Sequence, residues 1–142
     1  MLDLAATTLR LVLAFVLGSV IGFERERKRG IAGLRTHILV CVGSTLIMLT
    51  SLYIWDIYQG RAAIDPGRIA AGVVTGIGFL GAGTIIRSAQ GVKGLTTAAS
   101  VWVSAAIGLA VGCGYISAAV VTTGMAYLAL SLLKKLEKDE AD

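Results

Sequence analysis

The chain has 142 residues, of which 18 are Gly and one is Pro; 56% are apolar and 15% charged. A soluble domain carries about 25% charged residues, and a globule this small keeps too much surface in water to hide so much apolar area. These figures exclude an ordinary soluble domain, a disordered segment and a disulfide scaffold, and leave a bilayer as the natural solvent. The net charge of +4 reads first as membrane orientation and only second as affinity for an anionic partner.

In chain order, the apolar runs predict five membrane spans, over residues 4–23, 37–55, 69–86, 96–111 and 115–133. Each is near the roughly 20 residues that cross a bilayer as a helix. The expected fold is an all-α polytopic membrane protein, a compact Gly/Ala-packed bundle forming one transmembrane domain over residues 1–142. The alternative is four spans with one Gly-rich segment re-entrant. The first run has no basic cluster before it and no small-residue cleavage site before Glu24, so it reads as a retained span and not as a signal peptide. Arg10 interrupts it about 9 Å inside its outer end, a distance over which an arginine can snorkel to the interface.

The connecting segments carry the charge. Arg25, Arg27, Lys28, Arg29 and Arg35 fall in the first loop, Arg87 and Lys93 in the third, and Lys134, Lys135 and Lys138 in the tail. Five spans place all of these on one side, against Arg61, Arg68 and at most Arg10 on the other. That asymmetry predicts an outer N-terminus and a cytoplasmic C-terminus.

Helices in lipid approach closely where side chains are small. The first span carries Arg10, Ala14, Gly18 and Gly22 at four-residue spacing. The third carries Gly72, Gly76 and Gly83 on one face and Gly78 and Gly81 on the opposite one. The fourth offers Ala98, Ala105 and Gly112, with Ser104 and Gly108 nearby. These stripes are expected to pack helices, and they outnumber the contacts five helices need, which points to a homo-oligomer. Gly76, Gly78 and Gly81 match a dinucleotide fingerprint literally. They lie deep in an apolar span, however, without the strand and acidic residue that chemistry needs. They therefore read as close packing or a helix break. Cys41 and Cys113 are expected most of a membrane thickness apart and unpaired, and no spacing suggests a metal site.

In the first loop, Glu24 and Glu26 stand among cations. Two readings stay open: a positive anchor with local ion pairs, or specific pairs that fold the loop under the bundle. In the third, Thr96 or Thr97 is placed to cap the fourth span. The amides of that helix start, with Arg87 and Lys93, form a candidate anion site, a lipid phosphate being the simplest ligand; the plain alternative is a capped turn. His37, the one histidine, is expected in a structural hydrogen bond rather than in metal or proton chemistry. Tyr53, Trp55 and Tyr58 suggest an interfacial aromatic belt, and the Trp102 N–H needs a partner or an interfacial position.

Spans two to five hold no charged residue between their ends. Mg²⁺ sites ordinarily use carboxylates and proton pumps use buried acids or histidine, so a self-contained pump is not expected. No nucleophile–base pair or carboxylate pair points to an enzyme, and no cofactor is implied.

Several ordered blocks resemble the MgtC/SapB family of bacterial inner-membrane proteins. They are Gly22-Phe23-Glu24-Arg25-Glu26, Gly33-Leu34-Arg35-Thr36-His37 with Gly43-Ser44, Asp65 with Arg68, Gly76 to Gly83, and Gly94-Leu95-Thr96-Thr97 with Trp102. The resemblance covers the membrane domain; the cytoplasmic C-terminal domain that many members add is not expected here. The resemblance implies a multi-pass inner-membrane protein linked to Mg²⁺ limitation, acid stress or virulence. It implies functional positions at Glu24, Arg25, Glu26, Arg35, Thr36, His37, Asp65, Arg68, Thr96 and Thr97. The expected role is regulatory or lipid- and partner-binding, with the F-type ATP synthase a possible partner of the family and nucleic acid not expected. The alternative is a transporter or channel for Mg²⁺ or another ion.

Overall fold

The structure is a computed structural model that describes residues 3–58, 65–89 and 91–139, with side chains through residue 132. The predicted loop charge Arg61 lies outside that description, and Lys134, Lys135 and Lys138 lie beyond the described side chains. The described residues form five helices and one small hairpin: α1 Leu4–Arg27, α2 Leu34–Ile57, α3 Pro66–Gly83, β1 Ile86–Ser88, β2 Gly91–Lys93, α4 Leu95–Cys113 and α5 Ile116–Asp139. Three of the helices, α1, α2 and α4, are long and apolar enough to cross a membrane. The 18-residue, Gly-rich α3 is not among them, and the apolar part of α5 described with side chains, Ile116–Leu132, is shorter. Large apolar side chains such as Leu9, Phe23, Leu39 and Phe79 are nonetheless exposed around the bundle, as a lipid-facing surface requires.

Local chemistry sets the helix ends. The Asp3 carboxylate accepts the Ala6 N–H at 2.7 Å and starts α1. At its other end the Gly30 N–H bonds the Arg25 carbonyl at 2.8 Å and the Arg29 N–H bonds that of Glu26 at 2.9 Å. This is a Schellman turn, with Arg29 at φ 54° in the left-handed position that usually belongs to Gly. Asp65 caps α3 through the Gly67 N–H at 2.8 Å, and Pro66 occupies the first helical position. The third apolar run, expected to stay helical to residue 86, instead leaves the helix after Gly83. Ile86, Arg87 and Ser88 pair antiparallel with Lys93, Val92 and Gly91. Gly94, at φ 92°, then turns the chain into α4, and a Cβ there would strike the Thr84 carbonyl.

The centre of the bundle is α4, which touches the other four helices. One buried cluster joins Ala14, Leu17, Ile21, Cys41, Ile107, Val111 and Ala119 across α1, α2, α4 and α5. A second joins Val40, Val73, Ile77, Val101 and Ala105 across α2, α3 and α4, with Ala32 of the first loop.

Glycines permit this approach. A Cβ at Gly18 would lie 3.0 Å from the Cys41 Cβ, and one at Gly22 2.8 Å from the Leu34 Cα. Gly108 sits against the Cys41 carbonyl, and a Cβ at Gly112 would lie 2.6 Å from the Met48 Cβ. Gly81 is in ordinary contact range of Ala98, while Gly72, Gly76, Gly78 and Gly83 face open space within this chain. Only Val73, Ile77 and Gly81 of α3 are buried, so α3 lies at the edge of the bundle.

Buried hydroxyls along the helices are satisfied by backbone carbonyls. Thr45 Oγ1 lies 2.9 Å from the Cys41 carbonyl and 2.8 Å from that of Gly108, tying α2 to α4. Ser51 donates to the Pro66 carbonyl at 2.8 Å, and Thr123 to that of Ala119 at 2.8 Å. Arg10 does not merely reach for the interface, as its position suggested. Its Nη1 donates to the Gly112 carbonyl at 2.7 Å. There it complements the negative end of the α4 dipole.

Candidate functional site

Among the described residues, the buried charged side chains Glu24 and Arg25 gather at one end of the bundle. That end is where α1 finishes, α2 and α4 begin, and the first loop meets the hairpin. The register of α1 puts them there. Residues 14, 18, 22 and 25 follow one stripe, and Ala14, Gly18, Gly22 and Arg25 are all buried on it. The stripe that packs α1 on α2 therefore ends in a guanidinium.

Arg25 donates through Nη2 to Thr97 Oγ1 at 3.0 Å, linking α1 to α4. Gly30 makes room for it: a Cβ at that position would stand 2.8 Å from Arg25 Nη2. One turn along α4, Ser100 Oγ lies 2.9 Å from the Thr97 carbonyl and 3.0 Å from His37 Nε2. His37 Nδ1 lies 2.7 Å from the Gly33 carbonyl. That carbonyl only accepts, so Nδ1 carries the hydrogen. The single Ser100 hydroxyl hydrogen serves either the Thr97 carbonyl or Nε2, and the Nδ1 assignment comes from the network. Ser104 continues the row by donating to the Ser100 carbonyl at 3.0 Å.

The two loop carboxylates have separate tasks. Glu24, almost fully buried, pairs with Arg27 at 2.8 Å, and Lys28 approaches to 3.9 Å. Glu26 reaches across the loop and accepts the Leu34 N–H at 2.8 Å. Gly33 offers α2 no side-chain cap, so this carboxylate supplies one from eight residues away, where it also favours the positive end of the α2 dipole. Of the two readings of the loop, specific pairing describes this geometry.

The remaining positions divide. Arg35 and Thr36 are exposed beside His37. Arg87, on β1, and Lys93, on β2, are exposed on the hairpin at the same end. Asp65 and Arg68 stand at the start of α3, at the opposite end. Neither Thr96 nor Thr97 caps α4. The capping position is Gly94, with no side-chain bond, and Thr97 Oγ1 is turned to Arg25 instead. Sequence reasoning missed Ser100, Gly30 and the Gly112 carbonyl. The signal for the first was a row of hydroxyls at Thr97, Ser100 and Ser104 on an apolar helix. Cys41 is buried and Cys113 exposed, both free.

A cavity of about 570 Å³ opens at this end. Its walls include Arg25, Lys28, Arg29 and Lys93, together with the start of α4 at Thr96 and Thr97.

These features define a glycine-packed helical protein with three helices fit to cross a membrane and a buried charged and polar network at one end. The chain belongs to the MgtC family, whose family model matches residues 11–139. It is 46% identical over 134 residues to "Protein MgtC" of Brucella abortus, covering 94% of this chain and 53% of that protein. It is 44% identical over 130 residues to "Putative magnesium transporter YhiD" of Escherichia coli K12, covering 90% and 60%. A third relative, "Protein MgtC" of Salmonella typhimurium, is 42% identical over 127 residues, covering 89% and 52%. The chain thus spans between about half and three fifths of these curated relatives. No solved structure matches it.

Proposed function

We propose that this chain acts in Mg²⁺ homeostasis as an inner-membrane regulatory protein that engages lipid or a protein partner through its basic end, and not as a self-contained conduit. The observation that carries this reading is where the buried charge lies. Glu24 and Arg25 sit at one end, while between the helix ends Thr45 and Ser104 close on backbone carbonyls within the bundle. A hydrated Mg²⁺ gives up water reluctantly and needs carboxylate or phosphate oxygens in place of it. The magnesium-transporter name of one relative, with the open glycine face of α3, favours the second reading, a path formed between copies. Purified protein in liposomes loaded with a Mg²⁺-sensitive dye is expected to show no influx above protein-free liposomes. Influx that scales with protein content would overturn the regulatory reading.

All five helices crossing the membrane, with the N-terminus outside, is part of the same proposal, and the basic residues of the first loop and the hairpin support it. Cys113 provides the check, because it is exposed at the end away from the basic loop, whereas Cys41 is buried. A membrane-impermeant maleimide is expected to label Cys113 in intact spheroplasts. Labelling only after permeabilisation would reverse the orientation.

A further inference from the structure

The cavity beside Arg25 carries more than a general basic surface. We propose that it is a binding site for a phosphate group, anchored by Arg25 and the first turn of α4; this rests on the reading of the basic end as the working face. Three independent features converge there. The first is Arg25 itself, 8% exposed, whose Nε–H is buried and has no acceptor among the described residues. A guanidinium cannot shed its charge, and a buried donor without an acceptor is costly. Neither nearby carboxylate is hydrogen-bonded to it: Glu24 pairs with Arg27 through Oε2, leaving its buried Oε1 without a hydrogen-bond partner among the described residues and its charge to act on Arg25 only through space, and Glu26 caps α2. The guanidinium lies between Gly30 and Thr97, both wall residues of the cavity.

The second feature is the start of α4. No side chain caps it, so its first-turn N–H groups and the positive end of its dipole are left facing outward, an arrangement suited to an oxyanion. The third is the rest of the wall. Lys28, Arg29 and Lys93 add cations, and no carboxylate lines the cavity among the described residues. An arginine fork, helix-start amides and lysines suit the several oxygens of a phosphate better than the two of a carboxylate. Apolar wall residues Ile31, Leu95 and Leu130 also suit a lipid headgroup, but the shared chemistry is the phosphate, whether on a lipid or in solution.

The test uses the full chain in maltoside micelles. It is titrated separately with dihexanoylphosphatidylglycerol, with dihexanoylglycerol, which lacks the phosphate, and with inorganic phosphate. Melting is followed by tryptophan fluorescence. Saturable stabilisation by the phospholipid or by phosphate, absent with the diacylglycerol, is the expected result, and the two phosphate arms distinguish the source. Arg25→Gln should weaken binding, though it also removes a helix contact. Lys93→Glu keeps the result readable, because Lys93 is exposed. It should leave the unliganded melting temperature unchanged and weaken binding at least about tenfold, because one charge-assisted contact is lost and a repelling carboxylate replaces it. No stabilisation by either phosphate compound, or binding that Lys93→Glu leaves intact, overturns the site. Liposome flux does not depend on this titration, so either result can fail alone.

Discussion

Replacing Gly108 with alanine will lower stability by about 1–3 kcal/mol, the range of an overpacked core, although the same change in an ordinary helix interior gains about 0.5–1 kcal/mol. The sign reverses because of where α4 meets α2. A methyl group at position 108 would strike the Cys41 carbonyl oxygen and stand 2.8 Å from the Ser44 Cβ. Backbone and Cβ atoms cannot swing aside as the end of a long side chain can, so the helices must separate. Separation also stretches the 2.8 Å bond from Thr45 Oγ1 to the Gly108 carbonyl. Melting in detergent, followed by circular dichroism, measures the loss. Gly76→Ala is the comparison, since Gly76 faces open space in this chain and should be neutral or gain the ordinary helix increment. Equal behaviour of the two variants would mean that α2 and α4 do not approach as described.

His37→Ala is expected to cost about 3 kcal/mol, while Arg35→Ala, two residues away, should cost under about 0.5 kcal/mol. His37 is fully buried and bridges the Gly33 carbonyl at the start of α2 to Ser100 on α4. Its removal leaves a cavity and takes away the side-chain bridge between the Gly33 carbonyl and Ser100, although each keeps a backbone partner of its own. Arg35 is exposed and leaves nothing behind that water cannot satisfy. The same melting experiment decides the point. Similar losses at the two positions would remove the case for His37 as the tie between α2 and α4.

These variants mark how far the sequence alone can be read. Hydropathy and periodicity placed helices where they occur, usually extended by a few residues. The first apolar run ends at residue 23 while the helix continues to Arg27, because charged residues end an apolar run without ending a helix. Hydropathy alone also carried the third run through Ile86, missing the two-stranded hairpin at a short apolar stretch that suits either state. The paired carboxylates of the first loop were visible, but their division of labour was not. Glu26 acts as the missing cap of α2 only because the Schellman turn after Arg27 folds the loop back on itself.

Composition and order along the chain were sufficient for the helical, membrane-type class and for the family. Both depend on what residues are present and in what sequence, and the family blocks survive as linear patterns. The tertiary structure alone decided which glycines bear the packing. Gly18, Gly22, Gly108 and Gly112 meet another helix, whereas Gly72 and Gly76, equally regular in spacing, do not. It also decided which polar groups meet. Arg10 finds Gly112 across 102 positions, Arg25 finds Thr97 across 72, and His37 finds Ser100 across 63. Helical periodicity reports the face a residue occupies and not the helix opposite it. Contacts at such separations are set by how the helices cross, which no local pattern encodes.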